Sequence, residues 1–359
     1  MHTTTVAVDL AKNVFQLAVA DQHWKIVERH RLTRGQFERW FANRSVGRVV
    51  MESCGSAHHW ARWLSGRGLE VRLLPPRYVR PYVKRNKTDA ADAAALLEAL
   101  RCADIVPVRI KSLEQQALQS LHRIRSLWMA TRTARINALR GFCREFGVTI
   151  PAGSRLGMAQ IATVVADPGP AIPPLLRGTL PLLIEEIRLL EARIVQLEAQ
   201  LTAAARQSPA CTTLLSVPGV GLLTATALAA ATGGTVAHFK SARHFSAWFG
   251  LTPREASSGT TRHLGRLSKR GDRYLRMLLI HGARSVLWAA RAAQRAGRPL
   301  DALRQWALAL QARRHHNTAA CALANKLARI CYATLRDQEP FNLGRLNRKI
   351  NRHTYALPA

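Results

Sequence analysis

Four acidic residues near the start of this chain have the types and spacing to hold a divalent cation. Asp9 sits in VAVDLAKN, within an apolar strand-like run where an unpaired carboxylate is costly, and Glu52 follows the apolar run VGRVVM at the end of another. Asp89 and Asp92, in KTDAADAAALLEAL, are three apart and so share one helix face. Singly each has an ordinary reading: Asp89 as charge at a helix N-terminus, Asp92 as solvated surface, Glu52 as a cap. Together, in a chain with only 22 acids, they form a set of hard oxygen ligands for one or two Mg²⁺ ions, with Mn²⁺ as a substitute. Such ions activate an attacking oxygen and stabilise a leaving one in phosphoryl transfer. Lys87, just before the acidic pair, is either a phosphate contact or a solvated lysine.

A second set lies in WFGLTPREASSGTTRHLGRLSKRGDRYLR, where Ser257, Ser258 and Gly259 are surrounded by Arg254, Arg262, His263, Arg266, Lys269, Arg270 and Arg273. A serine hydroxyl is a weak nucleophile, and a base or local cations must help it attack phosphorus; the same cations stabilise the transition state. Serine in a glycine-bearing loop more often serves turn chemistry, and spacing alone leaves both readings open. Upstream, LLSVPGVGLLTATALAA has the form helix, Pro218-Gly219-Val220-Gly221, helix, which resembles a helix-hairpin-helix. There Gly219 and Gly221 would let backbone N–H groups approach a phosphate, and a plain tight turn is the competing account.

The elements that must position these groups can be read from periodicity. Strand-like runs at 6–10, 14–20 and 24–32 precede a helix at 35–43, a strand at 46–51, a helix at 58–64, a strand at 69–74 and a helix at 89–100. Three strands followed by alternating helices and strands is the order of an α/β RNase H-like fold. Residues 112–146 read as a long basic helix, and Pro151, Pro168, Pro170, Pro173 and Pro174 break the pattern after it. Leu183, Ile187, Leu190, Ile194, Leu197 and Leu201 then alternate steps of four and three, as a coiled-coil seam does. Such a helix either packs on its own domain or serves as a dimerising arm. The remainder is helical and basic, interrupted by a polar, glycine-bearing loop at 250–271. The expected domains are 1–105 (α/β), 106–210 (helical linker with the coiled-coil segment), 211–340 (mostly α, with the serine loop) and a basic tail, 341–359.

The formal charge of +31, from 53 basic residues against 22 acidic ones, calls for a polyanionic partner. Of the basic residues 44 are Arg, the better bidentate ligand for phosphate. The six cysteines form no C-x-x-C pair, and Cys54 beside His58 and His59 lacks the second ligand pair of a zinc site. No signal peptide and no membrane-spanning run is visible, so the expected location is the bacterial cytoplasm, at the nucleoid and away from membranes.

The VAVDLAKN start, the Glu52-Ser53 pair, NKTDAADA, the PGVG turn and above all the FGLTP…SG…G-x-x-S-K-x-G run resemble, together and in order, one family. It is that of insertion-sequence transposases with an Asp-Glu-Asp-Asp RuvC-like domain, the bridge-RNA-guided (seeker-RNA-guided) serine recombinases. The resemblance implies an N-terminal RuvC-like domain with Asp9, Glu52, Asp89 and Asp92 on Mg²⁺, a coiled-coil linker, and a transposase domain whose serine precedes the glycine of the SG pair. That serine maps to Ser258, with Ser257 the adjacent ambiguity. It further implies a dimer of dimers in which the acids of one subunit face the serine of another, with a noncoding guide RNA pairing to double-stranded donor and target DNA. HHNTAACALANKLARI resembles one subgroup's C-terminal end and receives no chemistry. Two rival readings stand: a RuvC-like Holliday-junction nuclease that activates water, and a non-catalytic nucleic-acid-binding protein.

Overall fold

The computed structural model describes residues 4–83, 89–167, 169 and 171–344. The chain packs as two units, Met1–Ser112 and Leu113–Ala359.

The first unit is built on one five-stranded sheet. Strands β1 (Thr5–Leu10), β2 (Val14–Ala20) and β3 (Ile26–Thr33) form an antiparallel meander; helix α1 (Arg34–Ala42) leads to β4 (Arg48–Glu52), and α2 (Ala57–Ser65) to β5 (Glu70–Leu74). A short α3 (Pro76–Val79) and a 3-10 turn precede α4 (Asp89–Arg101). The strand order is β3-β2-β1-β4-β5, with β4 and β5 parallel to β1, which is the arrangement an RNase H-like fold requires.

Alternation along β1 divides its residues between two cores. Val6 and Val8, with Phe15, Leu17 and Met51, meet the aromatic rings of α1 and α2; Phe15 lies edge-on to Phe37 at 4.9 Å and to Trp60 at 5.2 Å. The opposite face is lined by Ala7, Ala18, Ala20 and Val50, small enough for α4 to lie close with Ala93, Leu96 and Ala99. On α2, the buried His58 accepts the Lys111 amide at Nδ1 (3.2 Å) and Arg62 donates to the Lys111 carbonyl (2.6 Å), holding the segment whose Val108 bridges Leu73. The third strand starts two residues later than periodicity suggests. Asp21 accepts the amides of His23 and Lys25, and Trp24 takes φ +63°, so a turn claims this stretch.

The second unit is mostly helical. Its long helices α5 (Leu113–Glu145) and, after α6 (Ser154–Ala166) and α7 (Pro174–Arg177), α8 (Leu180–Arg206) lie antiparallel, laced by Arg125–Glu198, Arg132–Glu191 and Arg135–Glu186. The seam residues Ile187, Leu190, Ile194, Leu197 and Leu201 are buried within this chain and Leu183 is half-buried, as in a helix packed on its own unit. Then follow α9 (Pro209–Leu215), α10 (Leu222–Thr232), α11 (Ala242–Trp248), the short strands β6 (Pro253–Glu255) and β7 (Leu264–Leu267), α12 (Arg273–Arg295), α13 (Ala302–Arg313) and the central α14 (His316–Asp337). No helix among the described residues is long and apolar enough to cross a membrane.

One buried polar chain joins α5, α10 and α12. Thr226 Oγ1 gives its proton to the Leu222 carbonyl (2.7 Å), so it must accept from His122 Nε2 (3.0 Å), leaving Nδ1 to accept the Tyr274 hydroxyl (2.9 Å). The imidazole is thereby fixed as the neutral Nε2–H tautomer. Burial lowers the pKa of His122, and likewise of His58, from 6.5 to about 4. An unfolded chain takes up these protons below pH 6.5, whereas the folded one resists until about 4, so stability is lost as pH falls across that window. Thermal unfolding should show Tm dropping from pH 6.5 towards 4, with a shallower slope in His122→Asn; a slope unchanged by that substitution would remove His122 from the account.

Candidate active site

In the first unit, Asp9 and Glu52 stand at the C-terminal ends of adjacent parallel strands. The register pairs Val8 with Met51, and one step further sets Asp9 beside Glu52. Asp9 has the parity of Ala7, and Glu52 that of Val50, so both half-buried carboxylates leave the sheet on the face covered by α4. On α4, Asp92 is half-buried and lies one turn before the buried Ala95 and Leu96 and two before Ala99, continuing the stripe laid on the sheet. Asp89 opens the same helix; its side chain, and Lys87 altogether, lie outside the described residues.

Three of the four predicted acids thus share one layer of the unit. Among the described residues no three Asp, Glu, His or Cys side chains are gathered tightly enough to hold a metal ion. The donor chemistry nonetheless fits a hard divalent cation, which two carboxylates side by side on neighbouring strands favour between them.

In the second unit the stretch expected as an open loop is a hairpin. Beyond β6 and β7 the ladder continues through the Ala256 amide to the His263 carbonyl (3.0 Å) and closes in mutual bonds between Ser258 and Thr261 (3.1 and 3.0 Å), with Gly259 at φ +56°. The two serines differ sharply. Ser257 Oγ donates to Glu255 Oε1 (2.8 Å) and accepts the His263 amide (3.2 Å), while Arg262 braces the same carboxylate oxygen at 3.3 Å. Ser258 is exposed at the tip, and its hydroxyl makes no hydrogen bond among the described residues.

Arg254, Arg266, Lys269 and Arg270 are exposed along the hairpin and its base, and Arg273 is exposed in the first turn of α12. With Arg262, which pairs with Glu255, these cations make the hairpin and its base a positive surface.

The base of the hairpin is closed by main chain against main chain. A Cβ on Gly250 (φ +69°) would come within 2.6 Å of the Arg270 carbonyl oxygen, and one on Gly271 (φ +135°) would overlap the Trp248 carbonyl. Arg276 donates to the Phe249 carbonyl (2.8 Å), and Asn325 Nδ2 donates to the Leu251 carbonyl (3.1 Å). Sequence reasoning passed over Glu255 and Thr261, and it assigned Asn325 no role. Asn325 lies within HHNTAACALANKLARI, and only the folded chain brings α14 under the hairpin's first strand.

The PGVG turn joins α9 to α10. Gly219 (φ +80°) packs on α12, where a Cβ would meet the Gly282 carbonyl oxygen at 2.7 Å and Val286 at 2.8 Å; Gly221 is exposed as the residue preceding α10.

The chain thus combines an acid-bearing α/β unit with an arginine-bearing hairpin and a strongly basic composition, and comparison with known proteins identifies it as a transposase. A DEDD transposase domain of the IS110 type matches residues 6–147, and the transposase domain of the IS116/IS110/IS902 family matches residues 211–297. A probable family 20 transposase of Pseudomonas aeruginosa is 43% identical, covering 93% of this chain and 97% of its own. The transposase for insertion sequence element IS1111A of Coxiella burnetii is 39% identical over 94% and 91%, and that for IS1328 of Yersinia enterocolitica 36% over 92% and 96%. The chain belongs to the IS110/IS116/IS902 family of transposases.

Gly271→Ala tests the clamp. The strain of a side chain in this conformation, about 1–3 kcal/mol, should lower Tm by several degrees and detach the hairpin base. An unchanged Tm, with unchanged proteolysis between residues 250 and 271, would show that the clamp does not hold the hairpin.

Proposed function

We propose that this transposase cuts and rejoins DNA through a phosphoserine on Ser258. The observation that carries the reading is the contrast at the hairpin tip: Ser257 is bound on both sides, and Ser258 presents an unengaged hydroxyl at the tip of a hairpin whose strands and base carry exposed cations. The Ser258 Oγ–P bond forms as the bond from phosphorus to the leaving strand oxygen breaks, and the serine's proton ends on that oxygen as the strand's free hydroxyl. One ester replaces another, so the bond energy is kept for rejoining, and the reverse attack by a strand hydroxyl frees the serine. Arg254, Arg262, Arg266, Lys269, Arg270 and Arg273 hold the DNA along the hairpin and its base, and a cation that reaches the phosphate offsets charge developing on its oxygens. Asp9, Glu52, Asp89 and Asp92 would hold the divalent cation, Mg²⁺ or Mn²⁺, which when bound supplies stabilisation of the leaving oxygen.

In this reading the acids of one subunit serve the serine of another within a dimer of dimers, and a noncoding RNA supplies the pairing to donor and target DNA. The partner's sequence preference is then not written in the protein. Basic contacts to phosphate make binding steeply salt-dependent.

Ser258→Ala should abolish both strand exchange and the covalent protein–DNA adduct on denaturing gels, while Ser257→Ala retains the adduct. Adducts surviving in Ser258→Ala, or free ends without any adduct in the unsubstituted protein, would overturn the serine mechanism, the latter in favour of water as nucleophile. Asp9→Ala should remove metal-dependent cleavage, and full activity in chelator would refute the metal. Sequencing the RNA that co-purifies tests the guide, whose absence from active protein would remove it.

A further inference from the structure

We propose that the outer face of α12 is a stacking surface for an unpaired base of a DNA strand, with Trp288 as the platform. Trp288 is 72% exposed, against 37% for Trp248, the next most open of the eight tryptophans. An indole in water leaves a large flat apolar surface uncovered, and this one makes no ring contact among the described residues.

Its surroundings say what covers it. The exposed positions Arg273, Met277, His281, Ser285, Trp288, Arg291 and Arg295 follow one another in steps of three and four, a single stripe along the helix. α12 contains no acidic residue, and Arg291 and Arg295 make no ion pair among the described residues. A protein partner would be expected to find more apolar surface here than one tryptophan and Met277. A partner that is both polyanionic and equipped with flat apolar groups is nucleic acid: the base lies on the indole, and Arg291 and Arg295 meet the flanking phosphates. Beyond Trp288 the strand has a path. Arg291 and the exposed Gln294 line a groove of about 480 Å³ between α12 and α13, where the Gln294 amide offers a donor and an acceptor to base edges.

Bases in a duplex are already stacked on each other, so only an unpaired base can use the ring, and strand exchange by a DNA transposase must expose such bases. The inference rests on DNA as the family's substrate and not on Ser258 as nucleophile. Adduct formation and strand binding are separate measurements, so either can fail alone.

The test is fluorescence anisotropy of a labelled mixed-sequence 20-mer, single-stranded or duplex, with the full chain and its Trp288→Ala, Trp288→Phe and Arg291→Ala variants. Trp288→Ala should weaken single-stranded DNA binding about tenfold or more, with duplex affinity and salt slope unchanged. Trp288→Phe should keep most of the affinity, and Arg291→Ala should reduce the salt slope by about one. Light scattering should give the same mass for every variant. Unchanged single-strand affinity in Trp288→Ala, an equal loss on duplex, a loss confined to an RNA 20-mer, or a lower mass for Trp288→Ala would each overturn the proposal, the last marking the face as a subunit interface.

Discussion

The hairpin that displays Ser258 has almost no core of its own, since nearly every residue along it is exposed. It exists because main chain meets main chain at its base, where Gly250 and Gly271 leave no room for a side chain. That contact anchors two ends of a polar ribbon to the aromatic cluster of Phe245, Trp248 and Phe249, and so to the core around α14. The same device recurs where Gly219 meets Gly282, locking the PGVG turn to the middle of α12. Glycine in this unit therefore serves close packing, which places polar backbone where hydrophobic side chains cannot reach. The exposed tip is then free to carry charge without weakening the fold.

The first unit solves a related problem with alanine. Ala7, Ala18 and Ala20 keep one face of the sheet shallow, and α4 answers with an alanine-rich face of its own. Carboxylates at the strand ends and on the first turns of α4 then share a layer with little bulk between helix and sheet. On the opposite face the large rings of Phe37 and Trp60 take up the volume. Both faces are thus apolar cores, one filled by large rings and the other by close approach of small residues.

Much of this was legible in the sequence because both units use strong periodicities. The strand at Val14–Ala20 and the long helix at Leu113–Glu145 follow directly from spacing. The seam on α8 was equally visible, but its partner was not: periodicity identifies a face, and only the Arg125–Glu198 and Arg135–Glu186 pairs identify α5 as what covers it. The hairpin escaped notice since Pro253–Glu255 and Leu264–Leu267 are too short and too polar to show alternation. Of the site, the acids were marked by residue type in an improbable setting. The family resemblance pointed to Ser258 through the SG pair; that Ser257 is hydrogen-bonded to Glu255 and the His263 amide is a contact no spacing rule singles out.

The antiparallel pair of α5 and α8 has a further consequence. The 27 residues of α8 extend about 40 Å at helical rise, slightly more than one turn of duplex DNA. Its ends belong to different neighbourhoods: Leu180 and Ile184 join the small core with α6, and Ala205 joins the bundle beneath the hairpin. Arg125–Glu198, Arg132–Glu191 and Arg135–Glu186 tie the two helices along their shared length. A rigid pair of this length holds those two neighbourhoods at a fixed separation.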